Sequence, residues 1–108
     1  METYRFNVNL FLVSKMPLIS ASGILESMDR KQEICHKKQW FKVHLDYCLP
    51  VKTVLNVYAN DLGTIIWKIA KHYQACSKAE TLHTHYFYEL FMEEITINGD
   101  KIEVFIGS

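Results

Sequence analysis

Residues 60–94, NDLGTIIWKIAKHYQACSKAETLHTHYFYELFMEE, decide the fold because they contain the two strongest helical patterns of the chain. In the first half, apolar side chains recur at the spacing of one face of an α-helix. They are Leu62, Ile65, Ile66, Ile69, Ala70 and Tyr73. Asn60-Asp61 offers an N-cap just before this pattern. The sequence therefore predicts a helix that starts at about residue 62 and buries one face.

A second helix is predicted directly after the first. Ser77 and Glu80 have the spacing of a capping box, in which each side chain satisfies a free backbone N–H at the start of a helix. The side chains that follow on one face are Ala79, Leu82, His83, Tyr86, Phe87 and Leu90. Two apolar helical faces so close in sequence need a common surface to cover, and a sheet would provide it.

Strand patterns fill most of the remaining chain. Apolar and polar residues alternate over residues 3–13 and 40–49, and again on both sides of Asn98-Gly99-Asp100. Asn-Gly between alternating apolar residues predicts a hairpin with a type I′ turn. Residues 52–59 suit either a helix or a strand, but their valines, threonine and tyrosine favour a strand that pairs back onto 40–49.

These elements give the order β-α-β-β-α-α-β-β, with a first, weaker helix within residues 20–34. The predicted fold is α+β: a two-layer sandwich with a largely antiparallel sheet of four to five strands and two main helices packed on one face. The 108 residues form one predicted domain, 1–108. The opposite sheet face is either solvated or a binding surface; it carries Arg5, Asn7, Asn9, Lys42, His44 and Asp46.

Composition restricts the classes of function. The net charge is +0, so there is no overall attraction to nucleic acid or to an anionic membrane. The charge is uneven, because residues 1–54 carry 8 Lys/Arg against 5 Asp/Glu, whereas residues 55–108 carry 4 against 7. We expect a cytoplasmic protein without a signal peptide or membrane span, in which Cys35, Cys48 and Cys76 are reduced.

Two patterns suggest a metal- or thiol-dependent site. His72, Cys76, His83 and His85 are ligand types that zinc prefers, but two of them, His83 and His85, would lie about 200° apart on a helix. Cys48 shares a strand face with His44 and Asp46, yet Cys48 and His44 would be about 13 Å apart. The chain has no recognised catalytic or cofactor motif, so we expect neither an enzyme nor a cofactor.

A basic segment raises the alternative of nucleic-acid binding. Six basic or histidine side chains surround Trp40 and Phe41: Arg30, Lys31, His36, Lys37, Lys38 and Lys42. Lysines and arginines next to aromatic rings can hold phosphates and stack bases. Three carboxylates dilute the segment and no known nucleic-acid-binding motif is present, so this alternative ranks last.

Aromatic residues outside the predicted core favour a protein interface instead. Trp67, Tyr88 and Phe91 point away from the apolar stripes of their helices, and Trp40 has no evident place in a small core. Packing against neighbouring loops is the alternative explanation. The predicted partner-binding residues are Trp40, Trp67, Tyr88, Phe91, Lys37 and Lys38. We expect a small protein-binding module of the immunity, antitoxin or phage anti-defence type, which blocks another protein by contact; a homodimer is equally compatible.

Overall fold

The computed structural model describes residues 1–18 and 33–108 and has the predicted α+β architecture. Five strands form one sheet: β1 (Glu2–Asn9), β2 (Gln39–Leu45), β3 (Thr53–Ala59), β4 (Phe91–Asn98) and β5 (Lys101–Gly107). In the described chain, two helices pack on the sheet: α1 (Leu10–Ser14) and α2 (Leu62–Lys78). A short 3-10 helix covers Phe87–Glu89. The weak helix predicted within residues 20–34 lies almost entirely outside the described residues.

The sheet has the strand order β1-β4-β5-β2-β3. Three of its four strand pairs are antiparallel, whereas β2 and β5 are parallel, so the sheet is mixed but largely antiparallel as predicted. Residues 53–59 are a strand and pair with β2, which resolves the ambiguity of that segment. The strands at the two edges are therefore β1 and β3.

The long helix α2 begins where the sequence predicts. The Asp61 carboxylate accepts hydrogen bonds from the Thr64 backbone N–H at 2.9 Å and from the Thr64 hydroxyl at 2.7 Å. All six residues of the predicted face are buried. They pack on the core side of the sheet, where Phe41, Val43 and Ile95 are also buried. No helix among the described residues has the length and apolar character needed to cross a membrane.

The second helix predicted after Ser77 is wrong. Ser77 lies inside α2, and residues 77–81 form its C-terminal end: the Glu80 N–H bonds the Ser77 carbonyl and the Thr81 N–H bonds the Cys76 carbonyl. These two bonds, with Glu80 at a φ of 57°, are a Schellman motif. The predicted capping box is therefore a helix end. The other α-helix of the described chain is α1, which packs beside α2.

Two predicted strands are shorter than expected. The strand pattern over residues 3–13 ends at Asn9, whose side-chain oxygen accepts the Leu12 N–H at 3.0 Å and caps α1. Phe11 and Val13, apolar residues at positions where the alternation calls for polar ones, belong to this helix. The pattern over residues 40–49 ends at Leu45, and a turn follows in which Cys48 has a φ of 59°.

The hairpin between β4 and β5 is confirmed, but its turn type is not. Asn98 pairs with Lys101, so the two central residues are Gly99 and Asp100. Gly99 has a φ of 64°, whereas Asp100 has no positive φ. Glycine at the first central position is typical of a type II′ turn rather than of type I′.

Candidate functional site

Among the described residues, no helix covers one face of the sheet, and this face carries exposed aromatic side chains. The strand registers place Trp40 and Lys42 of β2, Asn56 and Tyr58 of β3 and Phe105 of β5 on this face, which we call the open face. All five side chains are exposed. The core-facing neighbours along the same strands, such as Phe41 and Val57, are buried. The open face is therefore a surface on which ring carbons remain in contact with water.

Trp40 and Tyr58 form the most prominent aromatic group of this face. They stand directly opposite each other on β2 and β3, and their ring centroids are 5.3 Å apart. Trp40 is 63% exposed and Tyr58 is 51% exposed. Cross-strand aromatic pairs stabilise a sheet, but exposed tryptophan and tyrosine are also the residues that most often dominate protein interfaces. We call this pair the aromatic corner.

Lysines border the aromatic corner. Lys37 and Lys38 are exposed just before β2. Lys42 is exposed two residues after Trp40, on the same face of the strand. Among the described residues, none of these three ammonium groups lies within 4.0 Å of a carboxylate. Lys101, by contrast, has its Nζ 3.0 Å from Glu103 Oε1. The corner is thus an apolar patch with a cationic border.

A shallow cleft of about 340 Å³ adjoins the corner. It is lined by Trp40, Lys42, Asn56 and Asp100. The Lys42 N–H donates to the Asp100 carbonyl at 2.8 Å, which fixes the β4–β5 turn against β2. The lining therefore combines an aromatic, a basic, an amide and an acidic residue.

The predicted contact residue Trp67 is not on this surface. It is half-buried on α2, and its indole N–H donates to the Met16 carbonyl at 2.9 Å. The Nζ atoms of Lys68 and Lys71 lie 5.4 Å and 5.2 Å from its ring. The segment after α1 thus covers this ring, which was the alternative explanation that the sequence left open.

Tyr88 and Phe91 lie at the opposite end of the sheet from the aromatic corner. Tyr88 is 58% exposed and stacks on Tyr86, with ring centroids 5.6 Å apart. Phe91 is half-buried at the start of β4, opposite Asn9 of β1. The predicted residues therefore do not form one patch: Trp40, Lys37 and Lys38 are near one end, and Tyr88 and Phe91 are near the other.

Sequence reasoning missed Tyr58 and Phe105. Tyr58 had a detectable signal, because a hairpin between residues 40–49 and 52–59 that aligns Phe41 with Val57 also aligns Trp40 with Tyr58. Phe105 lies between Val104 and Ile106, so it points to the opposite face from these two residues. The alternation that predicts the hairpin rests on Ile102, Val104 and Ile106 and gives no role to Phe105.

The predicted zinc ligands are divided between two elements. His72 Nε2 and Cys76 Sγ are 3.6 Å apart on α2, and burial lowers the pKa of His72. His83 and His85 lie on the loop after α2. In residues 1–18 and 33–108, no group of three or more His, Cys, Asp or Glu side chains is arranged to hold a metal ion. His72 and Cys76 form a pair without further ligands among those residues.

Cys48 lies in a different cluster, at the end of the molecule near the loop after α2. Its Sγ is 3.6 Å from the Thr84 hydroxyl, while the His83 N–H donates to its carbonyl at 2.8 Å. Cys48 and Thr84 both have a positive φ. The predicted grouping with His44 and Asp46 is replaced by these contacts, because the chain turns after Leu45.

A serine–histidine–carboxylate chain of hydrogen bonds adjoins this cluster. His85 Nδ1 is 3.0 Å from Glu89 Oε2, and His85 Nε2 is 3.1 Å from the Ser108 hydroxyl. The Tyr47 hydroxyl is 2.9 Å from the same Ser108 oxygen. The neighbouring cavity of about 520 Å³ is lined by His85, and Ser108 is exposed beside it. These bonds fasten the end of β5 to the loop after α2.

No protein-family model matches the chain, and neither the curated proteins nor the solved structures contain a significant match.

Proposed function

We propose that this chain is a protein-binding module that acts by stoichiometric contact, with the aromatic corner as its contact surface. The observation that carries the proposal is the Trp40–Tyr58 pair, two large rings in contact that are 63% and 51% exposed on an uncovered sheet face. Exposed aromatic rings at the centre of a small apolar patch favour association, because water leaves both surfaces.

The charge around the corner indicates the chemistry of the partner. Lys37, Lys38 and Lys42 are exposed near the rings, and none of the three forms an ion pair within 4.0 Å among the described residues, although Asp100 lines the same cleft as Lys42. A partner with an apolar patch bordered by aspartate or glutamate would complement this surface in two ways. Its apolar patch would face the rings, and its negative charges would face the lysines. Blocking such a patch on another protein would be an inhibitory mechanism that needs no catalytic group.

Site-specific photocrosslinking in the native cell tests the proposal. A benzoylphenylalanine at position 40 is expected to crosslink one discrete protein, whereas the same group at position 88, on the other exposed aromatic pair, serves as the matched control. The captured protein is then purified and mixed with the native chain. A 1:1 complex that weakens with increasing salt supports the proposal. A complex that forms through position 88, or none with the purified protein, contradicts it.

A further inference from the structure

The strand β3 is an edge strand that lacks the usual protection of edges. It pairs with β2 on one side. Among residues 1–18 and 33–108, no strand pairs with its other side, and the isolated bridge between Glu33 and Asp61 lies beyond its end. Its seven residues, TVLNVYA, contain no charged residue, no proline and no glycine. A strand edge of this kind is a template for pairing with another chain.

The opposite edge strand, β1, differs from β3 because it carries charged residues and an irregular register. Its sequence contains Glu2 and Arg5, and its register with β4 shifts between Arg5 and Val8. Charges and irregularities of this kind discourage edge-to-edge pairing. The contrast between the two edges of one sheet suggests a use for β3 that β1 does not share.

We propose that β3 pairs antiparallel with β3 of a second copy of the chain and joins two five-stranded sheets into one. When the two-fold axis passes beside Asn56, all seven residues of β3 pair with residues of the second copy. It places Asn56 opposite its own copy, Val54 opposite Tyr58, and Leu55 opposite Val57. No like charges face each other in this register, and the Val54–Tyr58 and Leu55–Val57 pairs combine aliphatic or aromatic side chains that pack across strands.

The exposure of the paired residues agrees with this register. On the open face, Val54 is 48% exposed and Tyr58 is 51% exposed, so their cross-strand contact would cover apolar surface that water now touches. On the core side, Leu55 is partly exposed next to buried Val57. The two-fold pairing covers each of these residues twice, once in each copy, as an isologous interface requires.

The pairing uses the backbone of β3 and covers the edge of Tyr58 that faces the second copy, while Trp40, on the inner strand β2, stays exposed on the open face. It brings the two corners onto one continuous face, and it does not depend on the proposed function. A single pair of strands is a small interface, so we expect a dissociation constant between about 1 µM and 1 mM.

The test measures molar mass by sedimentation and light scattering from about 10 µM to about 1 mM chain. The native chain is expected to approach twice its 12.7 kDa mass as the concentration rises. Asn56→Lys and Asn56→Asp each place like charges opposite one another and are expected to remain monomeric. A mixture of these two variants is expected to recover the dimer, since opposite charges then face each other. Asn7→Lys, at an exposed asparagine of β1, is the matched control and should dimerise like the native chain.

Hydrogen exchange of the unmodified chain provides a measurement that does not depend on variants. Those backbone amides of residues 53–59 that point away from β2 are expected to gain protection between the lowest and the highest concentration, while those of β1 remain unchanged. A native chain that stays monomeric up to about 1 mM overturns the proposal. So does an Asn56→Lys variant that dimerises like the native chain, or a mixture of the two charge variants that does not associate.

Discussion

Tyr73→Phe tests the packing that links the long helix to the loop after β2. The Tyr73 side chain is fully buried, and its hydroxyl donates to the Tyr47 carbonyl at 2.8 Å. The substitution keeps the ring but removes the donor, which leaves a carbonyl without its partner. A loss of this kind costs about 1–2 kcal/mol of the free energy of unfolding.

Urea unfolding followed by circular dichroism measures this loss. With an m value of about 1.5 kcal/mol/M, the midpoint should fall by about 1 M while m stays constant. Tyr86→Phe is the matched control, because Tyr86 is 68% exposed and its midpoint should not move. A Tyr73→Phe midpoint equal to that of the native chain would refute the assignment of this hydrogen bond.

The same variant should change the alkaline limb of the stability profile. Burial, with smaller contributions from Cys48 and Asp46, raises the pKa of Tyr73 above its ordinary value of 10.0. Above pH 10 the unfolded chain therefore releases a proton that the folded chain retains, and stability falls as the pH rises. Tyr73→Phe should lose less stability between about pH 9 and 11 than the native chain. Some loss should remain, because burial and Glu2 raise the pKa of Tyr4 to about 12.

Three further changes have definite expected outcomes. Asp61→Ala removes the N-cap of α2 and its bond to the Thr64 hydroxyl, and should cost about 1–2 kcal/mol by urea unfolding; Asp100→Ala, in an exposed turn, should cost less. Gly99→Ala should cost about 1 kcal/mol, because alanine is strained at a φ of 64° although the space around its Cβ is open; an unchanged thermal midpoint would contradict the turn geometry. Burial lowers the pKa of His72, so the unfolded chain binds a proton that the folded chain does not as the pH falls below 6.5, and stability decreases there. His72→Gln should reduce this acid-side loss, and an unaltered slope of stability against pH would count against the burial of His72.

Local sequence signals were sufficient for the elements that depend on periodicity and caps. The apolar face of α2, the Asp61 cap, the hairpin at Asn98-Gly99 and the pairing of residues 53–59 with β2 all follow from side chains close in sequence. The helix predicted after Ser77 failed because Ser-x-x-Glu also fits a helix end. The left-handed conformation of Glu80, with the two hydrogen bonds of the Schellman motif, decides between the two and has no signal in the Ser-x-x-Glu pattern.

The candidate site was only partly accessible from the sequence. Trp40 and its neighbouring lysines were identified as a contact surface, and that assignment remains a prediction. Trp67 is half-buried because residues near Met16, which are distant in sequence, cover part of its ring, and its role in partner binding remains a prediction. The partnership of Trp40 with Tyr58 depends on the strand register, and the β2–β5 parallel pair that builds the open face has no local sequence signal.

A calorimetric titration of the crosslinked partner against three forms of the chain tests the central claim most directly. The double variant Trp40→Ala/Tyr58→Ala should weaken binding by at least about 30-fold relative to the native chain, the effect of losing an interface hot spot. Tyr86→Ala/Tyr88→Ala removes an equally exposed aromatic pair at the other end of the molecule and should leave the affinity unchanged. If instead the second variant loses binding and the first retains it, the contact surface is not the aromatic corner.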